Sequence, residues 1–311
     1  LPHQSSVLKI IQTIADLDKA LAPYRISGKK IGFVPTMGAL HKGHISLIDF
    51  SRKECDVTVC SIFVNPTQFN DPKDLERYPR PMEEDAKMLR EAGCDILFAP
   101  SVIEMYPTGD FSLLKEDFGN MDKVMEGKSR PGHFAGMITI VSKLFNAVKP
   151  TIAYFGSKDF QQYTLVSYFV KKHDLPITIK PCPIVREPDG LAMSSRNRLL
   201  SAEERKHAVL IPQTLFKVKE MWGKKSVTEL KEFVQNEFAK NGFLKLDYFE
   251  ISYADTLEPV QNTHLQTLRS GQAQPPSLLI ERGKPKAGVS IVACIAAFDG
   301  KIRLIDNIIL A

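Results

Sequence analysis

Two short apolar runs, residues 31–34 and 57–64, enclose a segment in which Ile45, Leu47, Ile48 and Phe50 fall at helical spacing. The second run is β-branched and almost continuously apolar, as expected of a strand buried on both faces of a parallel sheet. Strand, helix, strand in that order begins a doubly wound α/β sheet, since parallel neighbours need a crossover and here the crossover is a helix. In such sheets ligands bind beyond the carboxyl ends of the strands, which directs attention to the residues that follow each run.

After the first run come Pro35, Thr36, Met37, Gly38, Ala39, Leu40, His41, Lys42, Gly43 and His44. Gly38 and Gly43 allow conformations and backbone approach that side chains block, and the helix start offers N–H groups and a positive dipole end to an anion. The two histidines are three apart and project from one side of the first helical turn, where each ring can donate to a phosphate oxygen. Spacing alone leaves phosphate handling, a structural role and metal binding open. Zinc would need further ligands, and no cysteine, third histidine or HExxH-type glutamate stands near.

The 311 residues are enough for two domains. Lys+Arg number 41 against 36 Asp+Glu, a net charge of +5 spread without a basic block, so a dedicated nucleic-acid surface is not expected. The five cysteines are scattered, odd in number and free of C-x-x-C spacing, which fits reduced core thiols. No apolar run approaches the ~20 residues that cross a bilayer, and no signal pattern opens the chain, so no membrane association and a cytoplasmic location are expected.

Along the chain, residues 6–22 carry apolar residues at helical spacing and predict a helix ending near Pro23. The second strand runs into Asn65, Pro66, Thr67, Gln68 and Phe69. Residues 70–81, with three prolines among charges, predict a long loop of the kind that covers a site. A helix over 82–92 and a strand over 96–98 follow. Arg130 and His133 then enter from a loop at the start of a helix bearing Met137, Val141, Leu144, Phe145 and Val148. Glu84 and Asp85 could hold Mg²⁺ through water, though acids are common in a first helical turn anyway.

A strand over 152–155 leads directly into Gly156, Ser157, Lys158, Asp159, Phe160, Gln161 and Gln162, repeating the strand, glycine, helix order. Asp159 could simply cap that helix. A turn at Pro188, Asp189 and Gly190 precedes Met193, Ser194, Ser195, Arg196 and Asn197, a plausible phosphate-gripping loop. From Ser201 the texture changes. A capping box at Ser201/Glu204 predicts a helix through about Met221, Ser226 starts another that ends near Asn241 and Gly242, and strands over 246–253, 289–298 and 302–309 complete a smaller α+β domain. Residues 261–288 predict a loop or partly ordered insertion. The expected architecture is therefore a Rossmann-like doubly wound parallel sheet over 1–184 with a smaller C-terminal α+β domain over 185–311.

Three segments thus place glycine, lysine, serine or arginine at strand ends. Without a G-x-x-x-x-G-K-[ST] loop, together they describe a nucleoside-triphosphate site of the non-Walker kind. Nucleotidyl transfer suits it, because attack on an α-phosphorus builds charge that aimed donors stabilise.

The segments 35–44, 63–69, 129–134, 155–162 and 193–197 together resemble the pantothenate synthetase (pantoate–β-alanine ligase) family, and the resemblance extends from about residue 7 to the end. It implies a homodimeric, Mg²⁺-dependent enzyme that joins (R)-pantoate to β-alanine through a pantoyl adenylate, with ATP as substrate and AMP and pyrophosphate released. By the same resemblance Met37, Gly38, Ala39, Leu40, His41, Lys42, Gly43 and His44 meet ATP, as do Gly156, Ser157, Lys158, Asp159, Val185, Met193, Ser194, Ser195 and Arg196. His44, His41, Lys158 and Arg196 would carry catalysis. Gln68 and Gln162 match the pantoate-binding glutamines, Gln68 also lying near the β-alanine amine. Neutral amides suit pantoate, since they bond its carboxylate without pairing so tightly that it ceases to be nucleophilic. The metal ligands are not assigned. The chain departs from the family pattern in the length of 261–288 and at Ser157, where a charged residue is often seen. The alternatives are another nucleotidylyltransferase that stops after nucleotide transfer, and a nucleotide-binding sensor without activity.

Overall fold

The computed structural model describes residues 7–69, 72–261, 280–281, 284–285 and 290–311, and it divides into two compact units. The first holds residues up to Asp122 together with Arg130–Val185; the second holds Lys123–Ser129 and Arg186–Ala311.

In chain order the elements are β1 (Lys9–Ile11), α1 (Ile14–Ile26), β2 (Ile31–Thr36), α2 (Lys42–Glu54), β3 (Val57–Ile62), α3 (Pro72–Arg77), α4 (Met82–Glu91), β4 (Ile96–Phe98), α5 (Val102–Met105), α6 (Met125–Ser129), α7 (His133–Val148), β5 (Ile152–Gly156), α8 (Phe160–Lys172) and β6 (Thr178–Cys182). Of these, α6 belongs to the second unit. The six strands form one sheet in the order β1-β4-β3-β2-β5-β6, every pairing parallel. From β2 the chain winds one way through β3 and β4, then returns to the other side of β2 for β5 and β6. The winding therefore reverses between β2 and β5, the position where a doubly wound sheet opens a crevice at its carboxyl edge.

The burial explains the order. All six residues of β3 are buried, as an inner strand covered on both faces requires. The helix α2 lies over β2, β3 and β5, and Leu47 and Ile48 join Val34, Leu40, Cys60, Leu89, Leu97 and Tyr154 in one core. That close seat depends on Gly32: a Cβ there would overlap the Ser51 hydroxyl of α2, itself bonded to Thr58 at 2.8 Å, and would lie 3.0 Å from Cys55 Sγ. All five cysteines are buried and unpaired.

Two expectations fail in this unit. The helix expected over 6–22 is instead a strand and a later helix: β1 pairs with β4, while Thr13, extended and accepting from the Asp16 N–H, starts α1, which continues through Pro23 to Ile26. Val7 and Ile10 are exposed, so their helical spacing marked no buried face. The segment 70–81 is not all loop, because α3 starts on Pro72, a first helical position where the missing N–H removes no bond.

The second unit adds α9 (Ala202–Ala208), α10 (Leu210–Met221), α11 (Val227–Asn241), β7 (Leu244–Tyr253), β8 (Ile280–Glu281), β9 (Lys284–Pro285), β10 (Ile291–Asp299) and β11 (Ile302–Ile309). Its three-stranded antiparallel sheet has the order β11-β10-β7. Ile211, Leu215 and Val218 of α10 and Leu230, Val234 and Phe238 of α11 pack with Ile251, Ala293, Ile295 and Ala297 of that sheet. The single helix expected after Ser201 is broken at Val209, since Pro212 has no N–H for the Ala208 carbonyl and its ring crowds it. Residues 123–129, expected in the first domain, belong here: Glu126 of α6 takes both ends of the Arg303 guanidinium at 2.7 and 2.8 Å and the Tyr248 hydroxyl at 2.8 Å. The loop expected over 261–288 lies outside the described residues apart from Gln261 and the short pair β8–β9. Among the described residues no helix is long and apolar enough to cross a membrane.

Gly32→Ala should lower unfolding stability by about 1–3 kcal/mol through overpacking between β2 and α2, read as a reduced midpoint in urea at unchanged m-value.

Candidate active site

The carboxyl ends of β2 and β5 carry the two glycine-containing segments. At the first, the Thr36 hydroxyl donates to the Ser61 carbonyl at 2.7 Å and accepts the Gly38 N–H at 3.2 Å, fixing the strand's exit. Gly38 (φ 84°) and Ala39 (φ 50°) are both left-handed. Their turn is held by Asp85, whose carboxylate accepts the N–H groups of Ala39 at 2.8 Å and Leu40 at 2.7 Å.

The helix start is capped by histidines. His41 is the N-cap of α2, its Nδ1 accepting the Gly43 N–H at 3.1 Å, and His44 Nδ1 accepts the His41 N–H at a longer 3.4 Å. The rings lie 4.1 Å apart between centroids. A nitrogen that accepts carries no proton, so both neutral imidazoles are set as Nε2–H tautomers, each with a donor on the side away from the backbone. The expectation that this helix start presents free N–H groups to an anion is therefore corrected: Ala39, Leu40, His41 and Gly43 give theirs to side chains.

Burial, and next the nearby Lys158 ammonium, push the His44 pKa down to about 4. The backbone N–H facing Nδ1 works in the same direction, because an imidazolium would set donor against donor. Lys158, mostly buried, lies 3.5 Å from the half-exposed Asp159 carboxylate. Asp159 makes no side-chain cap bond to α8, so capping does not account for it. The parallel pairing of β2 with β5 brings the two segments side by side at the carboxyl edge of the sheet.

Gln68 closes a short 3-10 turn, Pro66–Gln68, after β3. Its backbone carbonyl bonds His133 Nδ1 at 3.0 Å, while His133 Nε2 meets Arg130 Nη1 at 3.1 Å. Arginine can only donate, so Nε2 accepts and Nδ1–H donates, which fixes the opposite tautomer to that of His41 and His44. Asn65, fully buried, takes the Tyr106 hydroxyl at 2.8 Å and donates to the Gly136 carbonyl at 3.1 Å. A Cβ on Gly136 would overlap the Thr67 carbonyl, so glycine lets α7 press against this turn. Of the paired glutamines, Gln161 is buried and donates to the Met121 carbonyl at 2.6 Å, while Gln162 in the same helical turn is half-buried.

Met193, Ser194, Ser195 and Arg196 do not end a strand of the parallel sheet, as the sequence suggested. They lie in the second unit, beyond the bridge of Arg186 with Ala192, and the Ser194 hydroxyl accepts the Arg196 N–H at 3.3 Å. Arg186 steadies the segment by donating to the Gly190 carbonyl at 3.0 Å and to Asp306 at 2.7 Å. Val185 is the last residue of the first unit. Among the described residues no group of three or more His, Cys, Asp or Glu is placed to hold a metal. Asp85, considered from the sequence as an indirect magnesium ligand, has an oxygen on each of two backbone N–H groups. Asp85 and Asn65 are not among the site residues expected from the sequence. The Asn-Pro pair after β3 was a usable signal for Asn65, whereas nothing local distinguishes Asp85 from the neighbouring acids of α4.

Residues 9–309 match the family model described as pantoate-beta-alanine ligase. The chain belongs to this family. It is 47% identical over 301 residues to a pantothenate synthetase of Bacteroides fragilis, covering 97% of this chain and 98% of that relative. The crystal structure of pantothenate synthetase from Thermus thermophilus superposes with a TM-score of 0.83 at 37% identity, covering 96% of this chain and 98% of that one. A pantoate-beta-alanine ligase from Francisella tularensis, crystallised with beta-gamma ATP and beta-alanine, superposes with a TM-score of 0.74 at 34% identity, over 97% and 98% of the two chains.

The His44 imidazole should remain neutral and Nε2-protonated at pH 6, titrating near pH 4, as ¹⁵N shifts of labelled histidine would report. The sign for stability follows. Between the ordinary value of 6.5 and about 4 the unfolded chain binds a proton that the folded chain does not, so His44 should make stability fall as pH falls through that window.

Proposed function

We propose that this chain condenses (R)-pantoate with β-alanine at the expense of ATP, forming pantothenate through a pantoyl adenylate. Membership of the pantoate–β-alanine ligase family supports the overall reaction. The observation that carries the adenylation step is the histidine-capped start of α2, where the Nδ1 atoms of His41 and His44 accept backbone N–H groups and leave Nε2–H as the ring donor, at the place where the winding of the sheet reverses.

In the first step a pantoate carboxylate oxygen attacks the α-phosphorus, the bond to the β-phosphate bridging oxygen breaks, and pyrophosphate leaves. His41 and His44 donate hydrogen bonds to phosphate oxygens. A pKa of about 4 makes His44 a neutral donor rather than an imidazolium acid at neutral pH. Lys158 supplies the positive charge, and donors aimed at charge that develops in the transition state lower the barrier more than they tighten ground-state binding. In the second step the β-alanine amine attacks the acyl carbon, the acyl–oxygen bond to phosphate breaks, AMP departs and the nitrogen loses a proton.

Gln68 and Gln162 bind pantoate, and Gln68 also borders the amine. The Gln68 turn is braced by His133 and by the close approach of α7, so its side chain projects from a fixed backbone. Met37 to His44, Gly156, Ser157, Lys158 and Asp159 form the nucleotide contacts of the first unit, with Val185 near the adenine. Met193, Ser194, Ser195 and Arg196 supply further phosphate contacts, Arg196 as a cation. Mg²⁺ would enter with the ATP substrate and would offset the negative charge of its phosphates. The working form is a homodimer.

Exchange of labelled pyrophosphate into ATP should require pantoate and proceed without β-alanine. Exchange that depends strictly on β-alanine would replace the two-step scheme with a concerted one, and exchange indifferent to pantoate would favour a different nucleotidylyltransferase. His44→Ala should slow this exchange by a factor on the order of 10²–10³, the usual loss for one transition-state donor, with an unchanged far-UV spectrum. A variant exchanging at the parental rate would remove His44 from the adenylation step.

A further inference from the structure

The Gly38–Leu40 turn is held by a carboxylate to which none of the roles above is assigned. Asp85 is 1% exposed, stands in the first turn of α4, and is 46 and 45 residues away in sequence from the two N–H groups it accepts. The successive N–H groups of Ala39 and Leu40 converge on this one carboxylate, and a concavity of backbone N–H groups in a turn ordinarily receives an anion. Ala39 adopts the left-handed conformation although it carries a Cβ, and L-residues seldom do so without being held. The space is equally constrained: a Cβ on Gly38 would lie 3.0 Å from both Asp85 Oδ2 and Ile62 Cγ2. The chain leaves this turn directly into His41, whose own backbone N–H is the partner of His44 Nδ1.

From this geometry we propose that Asp85 is a positioning residue for adenylation: its carboxylate fills the concavity as a built-in anion, holds Ala39 left-handed, and so sets the direction in which His41 and His44 present their Nε2–H groups. The inference rests on the function proposed above. It has a second consequence. With the concavity filled by the chain itself, substrate phosphate is kept out of the turn and meets the imidazole donors. Asp85 touches the turn and acts through it.

Asp85→Asn tests this, because the amide keeps the shape but sets an NH₂ donor against one of the two backbone donors. Pantoate-dependent exchange of pyrophosphate into ATP should fall roughly 10- to 100-fold with the KM for pantoate changed less than about threefold. The ¹⁵N spectrum should show His41 or His44 partly shifted to the Nδ1–H tautomer. Ala39→Gly in the Asp85→Asn background should recover the exchange several-fold, since glycine takes the left-handed conformation without being held. Unchanged exchange and imidazole signals in Asp85→Asn would overturn the proposal. So would a loss of exchange with unchanged imidazole signals and no recovery by Ala39→Gly, which would assign Asp85 a direct role toward substrate or metal. If Asp85→Asn does not fold, replacing Leu40 by leucic acid deletes one of the two N–H groups and leaves the carboxylate in place, and the same shifts in exchange and tautomer are expected. A parental protein without pantoate-dependent exchange would refute the function, while the imidazole spectra would still decide whether Asp85 sets the histidines.

Discussion

The parallel pairing of β2 with β5 is the contact on which the first unit depends. The two strands meet through Gly32 with Ile152 and Phe33 with Ala153, although more than a hundred residues separate them in the chain. The connections leave β2 and β5 in opposite directions, the arrangement that opens a crevice at the carboxyl edge of such a sheet. Two segments far apart in sequence are thereby delivered to one crevice. The glycine at position 32 is part of the same constraint, since it lets α2 sit close enough for His41 and His44 to stand at the rim.

Satisfaction of backbone donors then decides the chemistry at that rim. A helix start with free N–H groups would itself be an anion site. Here the chain answers those groups with its own acceptors: a carboxylate on the left-handed turn and two imidazole nitrogens on the first turn of α2. Capping by a histidine commits one ring nitrogen as acceptor and leaves the other as donor, so the capping bonds also select the tautomer. Burial, and next the Lys158 ammonium that follows the neighbouring strand, hold the His44 ring neutral. The opposite tautomer of His133, set by Arg130 and the Gln68 carbonyl, shows the same economy used to brace a loop.

Much of this was legible in the residues. Apolar runs with period and length suited to buried strands placed β2, β3 and β5 correctly, β2 and β5 being followed by glycine and a helix, and the capping box at Ser201 and the helix start at Ser226 marked their helices. The failures share one cause. The spacing of Val7, Ile10 and Ile14 was helical only by coincidence, and what made residues 9–11 a strand was an open edge of β4 some ninety residues away. Residues 123–129 join the second unit because Glu126 finds Arg303, a partner that no local pattern announces. Proline marked a loop at Pro72 where it stood instead at the first position of a helix.

The sequence by itself determined the class of fold, because hydrophobic period, glycine placement and capping are local and each is written in consecutive residues. The tertiary structure alone decided which ring nitrogens are left as donors. That choice depends on which N–H groups are already occupied, and the occupants, Asp85 for the turn and Lys158 for the charge beside His44, come from elements brought near only when the sheet closes. Spacing can list the groups in a site; their protonation and direction are set by neighbours distant in the chain.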